Sequence, residues 1–379
     1  MVFNGQRLKI ARIYRNMSIT ELAEKIGVKK QSISQFENGI SRPKPDTEFS
    51  IMTILNFPRD FFYQETYALD VNNTFFRALS SASALDKKTQ EYKAQMVVQI
   101  YNFLCEYLEL PRLNIPSFDY EKSTIEEIAL ALRNHWHIGE MPIPNMINLL
   151  ENNGIIVSAF DVDSDKIDAF TQVHSFGSMS QYCIVVGNNK TSAVRRNFDM
   201  AHELGHIVLH SGVENLDELN SEQLRTMEDE ANQFAAAFLL PRNAFYEELK
   251  FPNELLEYIE LKKKWNVSIS AMLIRAKSLG RISTKDYQSL MKSMSYRKWR
   301  ILEPLDDTLK LSVPTLFSSA LEVLFESNIM TPKTFIAKLA QYGLSMKAEE
   351  LEKLLALPSN TLNTTLNSIP DIKPIITIK

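Results

Sequence analysis

Two histidines four residues apart, His202 and His206, with Glu203 beside the first, lie inside the apolar run FDMAHELGHIVLH (residues 198–210). This run constrains the fold more than any other stretch. In a helix rising 1.5 Å per residue, positions i and i+4 stand about 6 Å apart along the axis and share one face. Both imidazoles can then meet a single cation such as Zn²⁺. Glu203 is placed to take a proton from a water held by that cation, whose pKa zinc lowers to about 7. Gly205, between the histidines, leaves room for another element to pack closely beneath the site.

A third ligand is required. His210 stands two turns from His202, about 12 Å along the axis, too far for one ion bound at about 2.0 Å by each ligand. It reads instead as the last residue of the helix before Gly212, where the dipole favours an imidazole. The extended metzincin pattern also fails, because Leu209 occupies the place of its glycine and no histidine follows three residues on. Downstream, MEDEANQFAAAFLLP reads as a helix with Ala231, Phe234, Ala235 and Phe238 on its apolar face. Glu228 and Asn232 lie one turn apart on the same side. A ligating carboxylate followed four residues later by an amide can place the amide on a ligating histidine's free N–H. Glu230 is the rival ligand, but Phe234 at i+4 puts it toward the apolar side, so Glu228 is preferred.

Together, RRNFDMAHELGHIVLH, EDEANQFAAAFLLP and WNVSISAMLIRAKSLGRIS resemble the ImmA/IrrE family of gluzincin-type metallopeptidases over about residues 121–300. The resemblance implies a zincin-like fold, zinc, and site-specific cleavage of a regulatory protein, often a repressor. By matching motif, it implies His202, His206 and Glu228 as metal ligands and Glu203 as the base. It also implies that QYCIVVG (residues 181–187) is an edge strand to which substrate adds as a further strand. A His₂Glu set admits Mn²⁺ or Fe²⁺ as well as Zn²⁺.

The N-terminal 66 residues differ in charge and pattern. They hold ten Lys/Arg and seven Asp/Glu, a net of +3, in a chain of net −4, so the remainder carries −7. A basic head on an acidic body suits nucleic-acid contact by the head alone. Leu8, Ile10, Ala11 and Ile13 mark a first helix. Ser18 and Glu21 form a capping box for a second, and Gly27 supplies its left-handed end. VKKQSISQFENG follows as a short helix with Val28, Ile33 and Phe36 inward. Lys30, Gln31, Ser32, Ser34 and Gln35 lie on the other face, side-chain types that reach bases and phosphates from a major groove. Gly39 ends it, and a fourth helix spans about Asp46–Leu55. This stretch resembles the Xre-type helix-turn-helix family of phage Cro and repressor proteins over residues 4–66, with Thr20 where many members carry Gln. The resemblance implies double-stranded DNA as partner, base reading by Gln31, Ser32 and Gln35, phosphate contacts by Lys29, Lys30 and Arg42, and a homodimer on paired half-sites.

With 45% hydrophobic and 23% charged residues, and only 11 glycines and 15 prolines, the 379-residue chain reads as mainly α with a small α+β part. Cys105 and Cys183 imply no disulfide framework and fit a reducing compartment. No leader pattern and no uninterrupted apolar run of membrane-spanning length occurs, so a cytoplasmic protein without membrane contact is expected. The expected organisation is a helix-turn-helix domain at 1–66, a helical connector at 67–120 whose long helix stops at Pro111, a peptidase domain at 121–300, and a helical C-terminal region at 301–379. Within these, Ser123 or Thr124 begins a helix, and IPNMINLLENNGIIVSAFDVD reads as helix, turn, strand. Ser312 and Thr331 cap C-terminal helices, and IPDIKPIITIK is a β-prone end. That last region can dock on the peptidase, dimerise or bind a partner. His135 and His137 around Trp136 read as helix-end or packing residues, and Trp265 and Trp299 as core. His174 reads as a loop residue for which a transition-state role is weighed. Arg195 and Arg196 read as structural or solvated residues ahead of the motif helix. The function expected is a DNA-binding regulator with a zinc-dependent endopeptidase domain that cleaves a regulatory protein such as a repressor. The alternatives are a transcription factor whose zincin domain is a non-catalytic sensor, or an antitoxin-like module that binds a partner.

Overall fold

A computed structural model describes residues 2–66, 71–76, 83–160, 169–176, 179–187, 192–213, 218–363 and 377–378. The head is a bundle of α1 (Gly5–Tyr14), α2 (Ile19–Ile26), α3 (Lys30–Glu37) and α4 (Pro45–Leu55), followed by a 3-10 turn at Arg59–Tyr63. Local chemistry sets its boundaries. The Ser18 hydroxyl accepts from the Glu21 N–H at 3.1 Å, and the Glu21 carboxylate accepts from the Ser18 N–H at 2.6 Å, so α2 starts on a full capping box. Gly27 ends it at φ 71°, a left-handed conformation that costs glycine nothing. Ile33 and Phe36 are buried and Val28 packs against the same core. The buried Arg12 guanidinium grips Glu37 through two nitrogens at 2.6 and 2.9 Å, tying α1 to α3.

The middle of the chain contains β1 (Val71–Phe76), α5 (Ala84–Leu104), β2 (Leu108–Glu109), α6 (Ile125–His135), α7 (Met146–Asn152), β3 (Ile156–Phe160), β4 (Ala169–Phe176) and β5 (Met179–Gly187). Then come α8 (Ala193–His210), α9 (Ser221–Leu239), α10 (Arg242–Glu248), α11 (Leu255–Trp265), α12 (Ile269–Ser278) and α13 (Thr284–Tyr296). The C-terminal region adds α14 (Leu316–Glu326), α15 (Pro332–Gln341), α16 (Ala348–Leu354) and β6 (Thr377–Ile378), which pairs with β2. The fold is mainly α with a small α+β part.

One four-stranded sheet, in the order β1-β4-β5-β3, separates two cores. Side chains alternate across a strand. Ile156, Phe170, Cys183 and Val185 therefore join a core built from the head, α5 and α14–α16. Val157, Ala169, Val173, Tyr182, Ile184 and Val186 join the core of α6–α13. The C-terminal helices dock on the head: Arg15 pairs with Glu350 at 2.8 Å, Arg7 donates to the Gly343 carbonyl at 2.6 Å, and Gln64 donates to the Ala340 carbonyl at 2.5 Å. The same region touches the sheet, where the Ser158 hydroxyl donates to the Leu354 carbonyl at 2.8 Å.

Several expectations need correction. Residues 71–76, within the stretch expected to be a helical connector, form a strand, because β4 offers an unpaired edge for them to join. The connector helix ends at Leu104 rather than at Pro111. Residues 181–187 are not an edge: β5 pairs with β4 on one side and β3 on the other. Its unbroken apolar run, Cys183 to Val186, reflects burial of both faces by the two cores. His174 lies in β4 rather than in a loop. Arg195 and Arg196 are inside α8, and buried Arg196 donates to the Gly187 and Ser312 carbonyls. Thr315, not Ser312, precedes the first C-terminal helix, where Glu151 accepts from the Thr315 and Leu316 N–H groups. Most of IPDIKPIITIK lies outside the described residues. No described helix is long and apolar enough to cross a membrane.

Candidate metal centre

Helix α8 lies between the sheet and α9, and 15 of its 18 residues are buried. Gly205 makes the α8–α9 contact possible. A Cβ there would stand 3.1 Å from the Ala231 Cα and carbonyl oxygen and 3.2 Å from the Phe234 ring. Its absence lets α9 approach closely enough to bring Glu228 over the histidines.

The Nε2 atoms of His202 and His206 are 3.1 Å apart. Glu228 places Oε2 3.4 Å from His202 Nε2 and Oε1 3.4 Å from His206 Nε2. Burial alone would raise the Glu228 carboxyl, but hydrogen bonds and charge from the two imidazoles outweigh it and hold the group well below the usual carboxylate range. His202, His206 and Glu228 are the one group of potential metal-holding side chains among the described residues, with ligating atoms all within 4.8 Å of one another. A tetrahedral ion bound at about 2.0–2.2 Å holds its ligand atoms about 3.3–3.6 Å apart, so the donor set fits a small divalent cation.

The outer side of each ring is also engaged. His202 Nδ1 meets the Asn232 Oδ1 at 3.0 Å. Because that oxygen can only accept, Nδ1 carries the hydrogen and Nε2 presents its lone pair to the cluster. His206 Nδ1 meets His210 Nδ1 at 3.0 Å, and His210 Nε2 meets Glu230 Oε2 at 3.0 Å. If His206 likewise turns an Nε2 lone pair inward, its Nδ1–H donates to His210, whose Nε2–H donates to Glu230. Burial holds the His210 imidazole below its usual range, against the pull of Glu230. Thus His210, excluded as a ligand by distance, and Glu230, set aside as the rival of Glu228, stand one after the other behind His206.

Glu203 is fully buried beside the cluster, and the Thr171 hydroxyl of β4 donates to its Oε2 at 2.6 Å. Sequence reading missed Thr171; its strand AFTQVHSF also carries Gln172, His174 and Ser175, so nothing local sets it apart. His174 is three residues further along β4, on the opposite face from Thr171. It is buried, and neither ring nitrogen has a hydrogen-bond partner among the described residues. Burial pushes it down to about 4. The weighed transition-state role has no geometric support.

The residues expected to meet DNA lie far from this network in character. Lys29, Lys30, Gln31, Gln35 and Arg42 are exposed and Ser32 is half-buried, so the outward face of α3 is open to solvent.

Comparison with known families divides the chain the same way. Residues 8–62 match the helix-turn-helix family. Residues 150–277, from the end of α7 to the last turn of α12, match a peptidase family described as the IrrE N-terminal-like domain. No curated protein matches the chain. The chain therefore joins an Xre-like helix-turn-helix, which supports DNA binding, to an ImmA/IrrE-like domain of metallopeptidase type.

Proposed function

We propose that the chain is a DNA-binding regulator whose second domain is a zinc-dependent endopeptidase acting on a regulatory protein such as a repressor. The observation that carries this reading is the convergence of the His202, His206 and Glu228 donor atoms within 4.8 Å, with Glu203 buried beside them. His202, His206 and Glu228 hold the cation, and Asn232 and the His210–Glu230 pair fix the ring orientations. When bound, the cation supplies Lewis acidity, polarising a peptide carbonyl and acidifying water. Glu203 accepts the proton of the attacking water and delivers it to the departing amine nitrogen, general base and then general acid. The hydrogen bond from Thr171 restrains one carboxylate oxygen of Glu203. Gln31, Ser32 and Gln35 read bases, Lys29, Lys30 and Arg42 contact phosphates, and the protein binds its operator as a homodimer in the cytoplasm.

The test compares new protein N-termini in the native host carrying wild type or Glu203→Gln. A discrete N-terminus that appears only with wild type identifies the substrate. If none appears with or without DNA damage or oxidative stress, while both forms occupy the same operator, the domain is a non-catalytic sensor and the peptidase reading fails.

A further inference from the structure

The residues matched to the peptidase-type family, 150–277, contain three strands of the sheet, β3, β4 and β5. The fourth, β1, comes from outside that match, from the chain between the head and α5. Within the matched domain alone, β4 would be an edge strand. It is also the strand nearest the chemistry, since Thr171 of β4 touches Glu203 at 2.6 Å. β1 covers that edge, running antiparallel to β4, with Phe75 opposite Thr171 and Phe76 opposite Phe170. The pairing is irregular between Val71 and Asn73, so the ladder is interrupted near the β1 start.

An uncovered strand edge beside a peptidase centre is where an extended peptide adds through main-chain hydrogen bonds. We infer that β1 is an intramolecular competitor for that edge: residues 71–76 occupy the place of an extended peptide substrate, which must displace them to reach Glu203. This rests on the peptidase reading for its consequence, but the occupancy itself can be measured independently. A strand tethered at both ends competes at an effective concentration on the order of millimolar. A free peptide therefore meets a strong rival in the intact chain and a weak one once β1 is disabled.

The experiment is amide hydrogen exchange on the full, zinc-loaded chain. In wild type, β4 amides directed at β1 should exchange at least about 10-fold faster than those directed at β5, as expected of a segment that opens locally. Consecutive residues in a strand point their N–H groups to opposite sides, so N73P/T74P must remove at least one bond of the β1–β4 ladder. In that variant the β1-side amides of β4 should lose protection while the β5-side amides keep it. The peptide DVNNTFFR (residues 70–77), added in trans, should restore protection to the variant at concentrations that leave wild type unchanged. N73A/T74A, which keeps the backbone donors, should behave as wild type. Equal protection on both sides of β4 in wild type overturns the inference and needs no variant to show it; so does a variant whose exposed edge ignores the peptide. Cleavage decides the other question. If the peptide binds N73P/T74P but stays equally intact with N73P/T74P and with N73P/T74P/E203Q, the peptidase reading fails while β1 remains the occupant of the edge.

Discussion

Helices α3 and α8 each carry the polar residues that define one half of the molecule, and they treat those residues in opposite ways. In α3 three of eight residues are buried and the polar set faces water; in α8 fifteen of eighteen are buried, its histidines and Glu203 among them. A surface that reads a polyanion keeps its charges hydrated and mobile until the partner arrives. A site that holds an ion and moves a proton needs fixed dipoles in a dry surrounding, and each buried polar group then requires a partner. Asn232, His210, Glu230 and Thr171 are those partners around α8. In α3 the buried Glu37 has such a partner in Arg12, whereas no hydrogen bond from the described residues engages the exposed Gln31 side chain, which leaves it available to a base.

The comparison breaks most sharply if one ligand is removed. His202→Ala should lower zinc affinity at least about 10³-fold, since a structural-type zinc site distributes some 10–16 kcal/mol over its few ligands. Operator affinity should not change. Metal titration and DNA binding on the same preparation check both. A parallel fall in DNA binding would mean that the two helices are not separable.

A buried imidazole with no hydrogen-bond partner among the described residues sharpens the contrast between wet and dry polar groups. His174 titrates near pH 4 when folded, against an ordinary 6.5. Below pH 6.5 the unfolded chain therefore takes up a proton that the folded chain refuses, and stability falls as pH falls from 6.5 toward 4. Across pH 7 to 5 this amounts to about 2 kcal/mol. Gln181 lies opposite His174 on β5, a neutral neighbour that cannot offset the charge. Urea unfolding of wild type and His174→Gln at both pH values should show the variant losing less stability by about that amount. Identical slopes would place His174 in contact with water.

The next effect comes from the residues behind the histidines of the candidate metal centre. His210→Ala removes the acceptor for His206 Nδ1–H and should weaken metal binding about 10–100-fold. His210→Gln, whose amide oxygen can accept the same hydrogen, should recover part of it. No change in either variant would reduce His210 to a packing residue.

The sequence made the α8 site legible where its logic is local. His202, Glu203 and His206 are related by one helical turn, and Glu228 and Asn232 by another, so spacing alone groups them. The same arithmetic rightly kept His210 more than two turns from His202, but it had no means to find a neighbour-of-neighbour contact with Glu230 across α9. Thr171 stands 32 positions before Glu203 and meets it only after the sheet packs on α8. VNNTFF, residues 71–76, lacks the alternation of a half-buried strand, and its pairing with β4 is a contact between positions about a hundred residues apart. β5 misled for a related reason: an apolar run identifies a strand but not its position in the sheet, and the neighbours on both sides come from elsewhere in the chain. In the head nearly everything was legible, because caps, glycines and the α3 pattern are all short-range signals.

The smallest effects belong to α3, and they divide by chemistry rather than by burial. Gln31→Ala should cost about 1–3 kcal/mol against the cognate operator and much less against unrelated DNA, because a base-edge contact carries sequence information. Lys30→Ala should weaken both nearly equally, with the slope of log K against log salt reduced by about 1, because a phosphate contact releases counterions whatever the sequence. Binding isotherms of the full chain on both DNAs across a salt series separate the two. If Lys30→Ala instead relaxed specificity, the lysine would reach a base and the division within α3 would need redrawing. If Gln31→Ala left discrimination intact, sequence would be read from another residue of α3 or from DNA shape, and the exposed face of this helix would serve mainly to position the protein on the duplex.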